Sequence, residues 1–344
     1  MNNFFKATLV ILFISLISCE SDDDITTPPL PEGEFTEGFF VLNEGGIGSV
    51  SFVSNDFSRV EQQIYSNVNN GDDIGQFVQS LFFDESDRAY IISNGSNLIT
   101  VVNRFTFEKV GEVTTSLDVP RYGTVINGKA YVTNQASFTT NADDFVTVID
   151  LESLEVETTI PFNTIVENII SDGNKLYVQN AAFGIGSGVT IIDPASNSIE
   201  EEIQTGDALQ SIFINANSLF ALHGSGMDRI NLNTQEVTLT LNLPSEISGA
   251  KNLKILDGVF YYTFGSSVYQ TSISETSLSS EPFITYDSNS QFGTMYGFAV
   301  NDGLVYISDA TDFASDGFIE IYDLSGNLVF ETSVGLGPNG FYFN

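Results

Sequence analysis

Short apolar runs, each carrying an aromatic residue, return along the chain at a nearly constant interval. They read GFFVLN from Gly38, RAYIISN from Arg88, KAYVTNQ from Lys129, KLYVQN from Lys175, SLFALHG from Ser218, VFYYTF from Val259 and LVYISD from Leu304. Their aromatics, Phe40, Tyr90, Tyr131, Tyr177, Phe220, Phe260 and Tyr306, stand 40 to 50 residues apart. Side chains alternate between the two faces of a strand, so runs of this length and composition predict β-strands. The period is too long for a leucine-rich repeat and fits a unit of four strands, the blade of a propeller.

Alternation and turn residues divide each unit into four strands. In the third unit YGTVIN, from Tyr122, turns at Asn127-Gly128 into KAYVTN; a longer loop then leads to FVTVID, from Phe145, and LES turns the chain into LEVETTI. Asp172-Gly173, Asp257-Gly258 and Asp302-Gly303 repeat the first turn. A two-residue hairpin needs positive φ there, which Asn, Asp and Gly tolerate. VIDLES, IIDPAS, INLNTQ and IYDLSG repeat the second turn, and no amphipathic stretch of 10 or more residues argues for a helix. The first unit opens at its second strand, whereas the chain finishes with PNGFYFN from Pro338, a lone strand of first-strand type. The predicted fold is therefore all-β: a seven-bladed β-propeller of four-stranded antiparallel blades over residues 38–344, closed by the C-terminal strand completing the first blade.

Ahead of the repeats, MNNFFK precedes eleven mostly apolar residues from Ala7 to Ile17, the layout of a signal peptide over residues 1–18 and too short for a convincing membrane span. Leu16-Ile17-Ser18-Cys19 resembles the bacterial lipobox, which implies cleavage before Cys19 and its acylation. Several acyl chains give durable membrane attachment. Residues 19–37 then form a polar tether with seven acids and three prolines. Its opening Glu20-Ser21-Asp22-Asp23-Asp24 is similar to the export tag of surface lipoproteins of the Bacteroidota. With Cys19 the only cysteine, no disulfide forms and stability rests on the core. Eleven Lys and Arg against 45 Asp and Glu give a net charge of -34, which repels phosphate backbones and excludes nucleic acid as a partner.

Tryptophan is absent, and with it the Trp-Asp mark of WD repeats and the Trp-rich docking of quinone-cofactor dehydrogenases. Seven repeats in phase from Gly38 to Asn344 resemble the YncE-like seven-bladed propellers. The lipobox, acidic tag, blade number and FVLNEG opening are similar to those of Bacteroidota lipoproteins that hold cobalamin above a TonB-dependent transporter. The resemblance implies a surface-exposed, non-enzymatic outer-membrane lipoprotein that needs no cofactor, binds a small molecule and partners such a transporter.

In a blade, the loops joining strands two and three and those joining one blade to the next share one rim; the tight hairpins share the other. Six basic residues (Arg59, Arg88, Arg104, Lys109, Lys129 and Lys175) map to the hairpin side, and nine acids (Asp72, Asp73, Asp143, Asp144, Glu167, Asp207, Asp309, Asp312 and Asp316) map to the loop side. The residues before each first strand ring the central funnel: Phe77, Arg121, Asn168, Gln210, Lys251, Tyr296 and Asn339. That mixture of amide, aromatic and cationic groups suits a neutral or partly anionic ligand. His223, the only histidine, is a further contact candidate on a loop-side connection. Asp309, Asp312 and Asp316 offer oxygens to calcium, though without EF-hand spacing; a solvated acidic loop is the competing reading. Two other functions stay open: a protein-interaction or adhesion propeller, and a lactonase-type hydrolase with Glu44, Asn168, Asn252 and Asp309 around a metal. No GxGxxG, Walker loop, nucleophile elbow or Cys-x-x-Cys occurs.

Overall fold

The computed structural model describes residues 33–344, so the signal peptide, Cys19 and most of the tether lie outside the described residues. The rest forms seven antiparallel sheets of four strands each, the blades of a propeller. Blades are numbered here from the N-terminus. Their innermost strands are Pro338–Phe343 in blade 1, then Val78–Phe83, Pro120–Ile126, Ile169–Ser171, Ser211–Asn215, Lys251–Leu256 and Gly297–Asn301 in blades 2 to 7.

Blade 1 is assembled from both ends of the chain. Pro338–Phe343 pairs antiparallel with Gly38–Asn43, with Phe343 opposite Phe39 and Phe341 opposite Val41. Gly38–Asn43, paired on its other side with Ser49–Ser54, then keeps no free edge. Asn344 fastens the seam: its backbone N–H donates to the Gly38 carbonyl, and its side chain accepts from Arg104 Nε at 2.8 Å and donates to the Phe35 carbonyl.

The core is seven apolar layers, each pressed between neighbouring blades. Tyr131, Val146 and Val148 of blade 3 meet Ile169, Leu176 and Val178 of blade 4, and at the seam Phe39, Val41 and Phe341 meet Tyr306, Ile319 and Ile321 of blade 7. Second strands are covered on both faces, which explains why they read as nearly continuous apolar runs.

Local turn chemistry follows the sequence in most blades. Asn127-Gly128, Asp257-Gly258 and Asp302-Gly303 all have positive φ at both positions, as two-residue hairpins require. The Asp172 turn differs, because Ser171 pairs with Leu176 across four intervening residues and Asp172 Oδ1 accepts the N–H groups of Asn174 and Lys175. The second-turn motif also has a mechanism. Asp150, Asp193, Asn231 and Asp323 each turn a side-chain oxygen onto backbone N–H groups two to four residues on.

Register corrects one repeat position. Tyr131 lies opposite Thr124 and Tyr306 opposite Ala299, and the equivalent pair in blade 6 is Tyr261 with Lys254, so Tyr261 rather than Phe260 is the repeating aromatic. One helix of a single turn, Ile64–Val68, fills the connection after the two-residue outer strand of blade 1. It is shorter than any helix that periodicity detects.

Phe39→Ala at the seam is expected to destabilise the protein by about 3–5 kcal/mol. Val329→Ala, on an exposed outer strand, is expected to stay within about 0.5 kcal/mol. Urea unfolding of both variants checks the contrast.

Candidate functional site

The innermost strands of all seven blades lie side by side around one axis and line it along much of their length. They enclose a central channel of about 630 Å³. Four predicted ring residues line it, Asn168, Gln210, Tyr296 and Asn339, together with Tyr122, Thr124, Ser211, Asn252, Lys254 and Tyr342. Hydroxyl and amide groups thus dominate the wall.

A hydrogen-bonded network ties the mouth together. Arg121 grips Glu167 with two nitrogens, at 3.0 and 2.7 Å, and donates a third bond to Gln79 Oε1 at 2.5 Å. Gln79 in turn donates to the Tyr122 hydroxyl at 3.1 Å, and Gln135 donates to Glu167 at 2.7 Å. Across the seam, the Tyr296 hydroxyl donates to the Glu44 carboxylate, while Asn339 donates to the carbonyls of Val78 and Gln79. Burial works against a charged Arg121, but Glu167 outweighs it and holds the guanidinium above its ordinary pKa. Burial, then the charge of Glu167, pushes Tyr122 up to about 12. Burial, then the bond to Glu44, likewise raises Tyr296, so both phenols stay neutral.

The remaining predicted ring residues stand elsewhere. Arg121 is buried and neutralised by Glu167 instead of presenting a free cation to the channel. Phe77 is exposed at the rim, where its ring would collide with any side chain placed at Gly95. Lys251 is exposed and lies outside the channel lining. His223 is buried at the end of a second strand in blade 5, 3.6 Å from Asp228, with neither ring nitrogen hydrogen-bonded. It faces no channel.

The acidic loop face is thinner in free charge than the sequence suggests. Asp72 pairs with Lys109, Glu167 with Arg121, and Asp144 and Asp309 are buried. Asp309 accepts from Tyr286, Ser288 and the Thr311 N–H, whereas Asp312 caps the turn at Ala314 and Ser315. No group of three or more acids or other metal-binding side chains converges among the described residues. Of the lactonase-type set, Glu44 and Asp309 are occupied by hydroxyl donors, and Asn252 is bound to Thr263 and the Met295 carbonyl.

Two features escaped the sequence reading. Lys254 lines the channel without an ion pair or hydrogen bond among the described residues, and burial alone lowers its pKa. The signal lay in aligning innermost strands on their hairpins, where Lys254 is the charged residue among apolar or hydroxyl counterparts. The second is a crown of exposed aromatics on the loop side, with Phe138, Phe183 and Phe292 each more than 70% exposed. Phe183 lies 5.8 Å from the Arg121 guanidinium, and Phe313 packs edge-on against Tyr296 at 4.9 Å. The crown is therefore continuous with the channel mouth.

A family model described as a domain of unknown function, DUF5074, matches residues 37–325. The chain belongs to this family. No curated protein matches it. Among solved structures, it is similar to a functionally unknown protein from Desulfotomaculum acetoxidans (12% identity over 89% of this chain and 98% of that one, TM-score 0.69). It is also similar to a quinonprotein alcohol dehydrogenase-like protein from Bacteroides thetaiotaomicron (15% identity, 90% and 78% covered, TM-score 0.68). A third is hydrazine synthase of Kuenenia stuttgartiensis (18% identity, 74% and 85% covered, TM-score 0.59). At these identities the DUF5074 chain shares a propeller fold with them, and nothing about activity follows.

Arg121→Met is expected to cost about 3–5 kcal/mol by stranding Glu167, and the double variant R121M/E167L is expected to recover much of that. A double-mutant cycle by chemical denaturation reads the coupling. Asp144 gives a second prediction. Burial, opposed by the Val166 N–H and reinforced by the charges of Asp143 and Glu167, raises its carboxyl to about 7. A group raised on folding favours the native state at low pH, so stability from this group falls as pH rises from about 4 to about 7, at roughly 1.4 kcal/mol per pH unit. Asp144→Asn is expected to remove that slope, seen by comparing urea midpoints of both proteins across this range.

Proposed function

We propose that this protein is a non-enzymatic outer-membrane lipoprotein, held at the cell surface through an acylated Cys19, which captures a small ligand at the channel mouth and presents it to a TonB-dependent transporter. The observation that carries the reading is the contact of exposed Phe183 and Phe313 with Arg121 and Tyr296 at the rim of a hydroxyl- and amide-lined channel. Such a mouth suits a molecule with flat apolar faces and a polar periphery. A corrinoid such as cobalamin has that character. Being larger than the channel, it would lie across the mouth, its ring on the phenylalanines and its amide side chains towards Asn168, Gln210 and Tyr296.

A second reading draws on Phe138 and Phe292, which project into solvent. Exposed aromatics are anchors of protein interfaces, so the same crown fits an adhesion or docking surface.

Full-length protein incubated with cobalamin and then desalted is expected to keep the visible corrin absorbance. The double variant F183A/F313A is expected to lose affinity by at least about tenfold. Absence of retained corrin from the wild-type protein contradicts the corrinoid reading, and recovery of an envelope protein by wild type but not by the variant then favours docking.

A further inference from the structure

The described residues hold ten of the eleven basic side chains, and eight have a polar partner. Six reach a carboxylate, while Arg104 and Arg229 donate to Asn344 and Ser218. The two without an ion pair or hydrogen bond are Lys251 and Lys254, both on the innermost strand of blade 6. In a chain with 45 acids, this is where cations are left open.

Backbone register aims them together. Lys251 lies opposite Thr263 and Lys254 opposite Tyr261, so Asn252 and Leu253 together oppose Tyr262 across a bulge, with Asn252 at φ 60°. Residues two apart on a strand share a face, and cross-strand partners share it too, so the bulge places both lysines on one side. Similar bulges occur in blades 2 and 3, but the side chains differ. At the position of Lys254 the other blades carry Phe82, Thr124, Ile170, Phe213, Ala299 and Tyr342, none of them charged. Lys254 is half-buried, and an ammonium partly withdrawn from water without a counter-charge is unfavourable where an apolar residue would fill the position at lower cost.

We propose that Lys254, with Lys251 at the entrance, forms an oxyanion site inside the channel for the carboxylate or phosphate group of a small hydroxylated molecule. Thr124 and Ser211, both in the channel wall, supply neutral donors for its hydroxyls. The inference rests on the channel being ligand space, as in the reading above. It does not rest on a corrinoid, so corrin retention and anion binding fail independently.

The test is calorimetric titration of the full chain with inorganic phosphate, with gluconate and with neutral glucose. The expected result is binding of at least one anion, with the stronger of the two naming the source, and weaker binding of glucose. Lys254→Met is expected to weaken anion binding at least about tenfold and Lys251→Met about two- to threefold, as fits a half-buried charge in the channel wall and an exposed one outside it. Should Lys254→Met fold poorly, the Lys254 ¹³Cε resonance of lysine-labelled wild type gives the answer. It should titrate at higher pH when the anion is added, while Lys129 and Lys175 stay fixed. No anion binding, equal binding of glucose, or an unmoved Lys254 resonance overturns the proposal.

Discussion

The pairing of Pro338–Phe343 with Gly38–Asn43 is the contact on which the rest depends. A blade cannot bury its faces alone, because each apolar layer is completed by the next blade round the ring. The seam layer of Phe39, Phe341 and Tyr306 is the last of seven. The chain has one cysteine, Cys19, outside the described residues, so this closure is held by backbone pairing, apolar contact and the bonds of Asn344 rather than by a disulfide.

The channel inherits its order from that closure. Asn339, on the closing strand, reaches the backbone of Val78 and Gln79 in blade 2, and Tyr296 of blade 7 reaches Glu44 of blade 1. Gln79 then leads to Arg121 and Glu167 in blades 3 and 4. The mouth is thus a network assembled across the seam. Only when the ring is complete do its donors and acceptors meet, and the channel-lining side chains left without a partner among the described residues include Asn168, Thr124 and Lys254. The result is a polar cavity whose rim carries the exposed side chains of Phe183 and Phe313.

The fold was legible because its information is local. Turn residues such as Asn127-Gly128 act within four residues, and the aromatic period repeats seven times, so an error at one unit, Phe260 for Tyr261, did not disturb the whole. The site was less legible because its information is between blades. Asn168, Gln210, Tyr296 and Asn339 follow from position on a strand alone. Arg121 did not, since its partner Glu167 lies 46 residues away on the next blade and turns an apparent free cation into a structural pair. The acidic face shrank for the same reason, through Asp309 with Tyr286 and Asp72 with Lys109. His223 read as a loop residue but closes a buried strand.

Native mass spectrometry of the intact protein, purified from its own cells without denaturation, tests most directly whether this propeller is a ligand carrier. A ligand carrier is expected to show a non-covalent adduct of defined mass that is lost when the protein is unfolded. A bare polypeptide under native conditions, in repeated preparations, would contradict it.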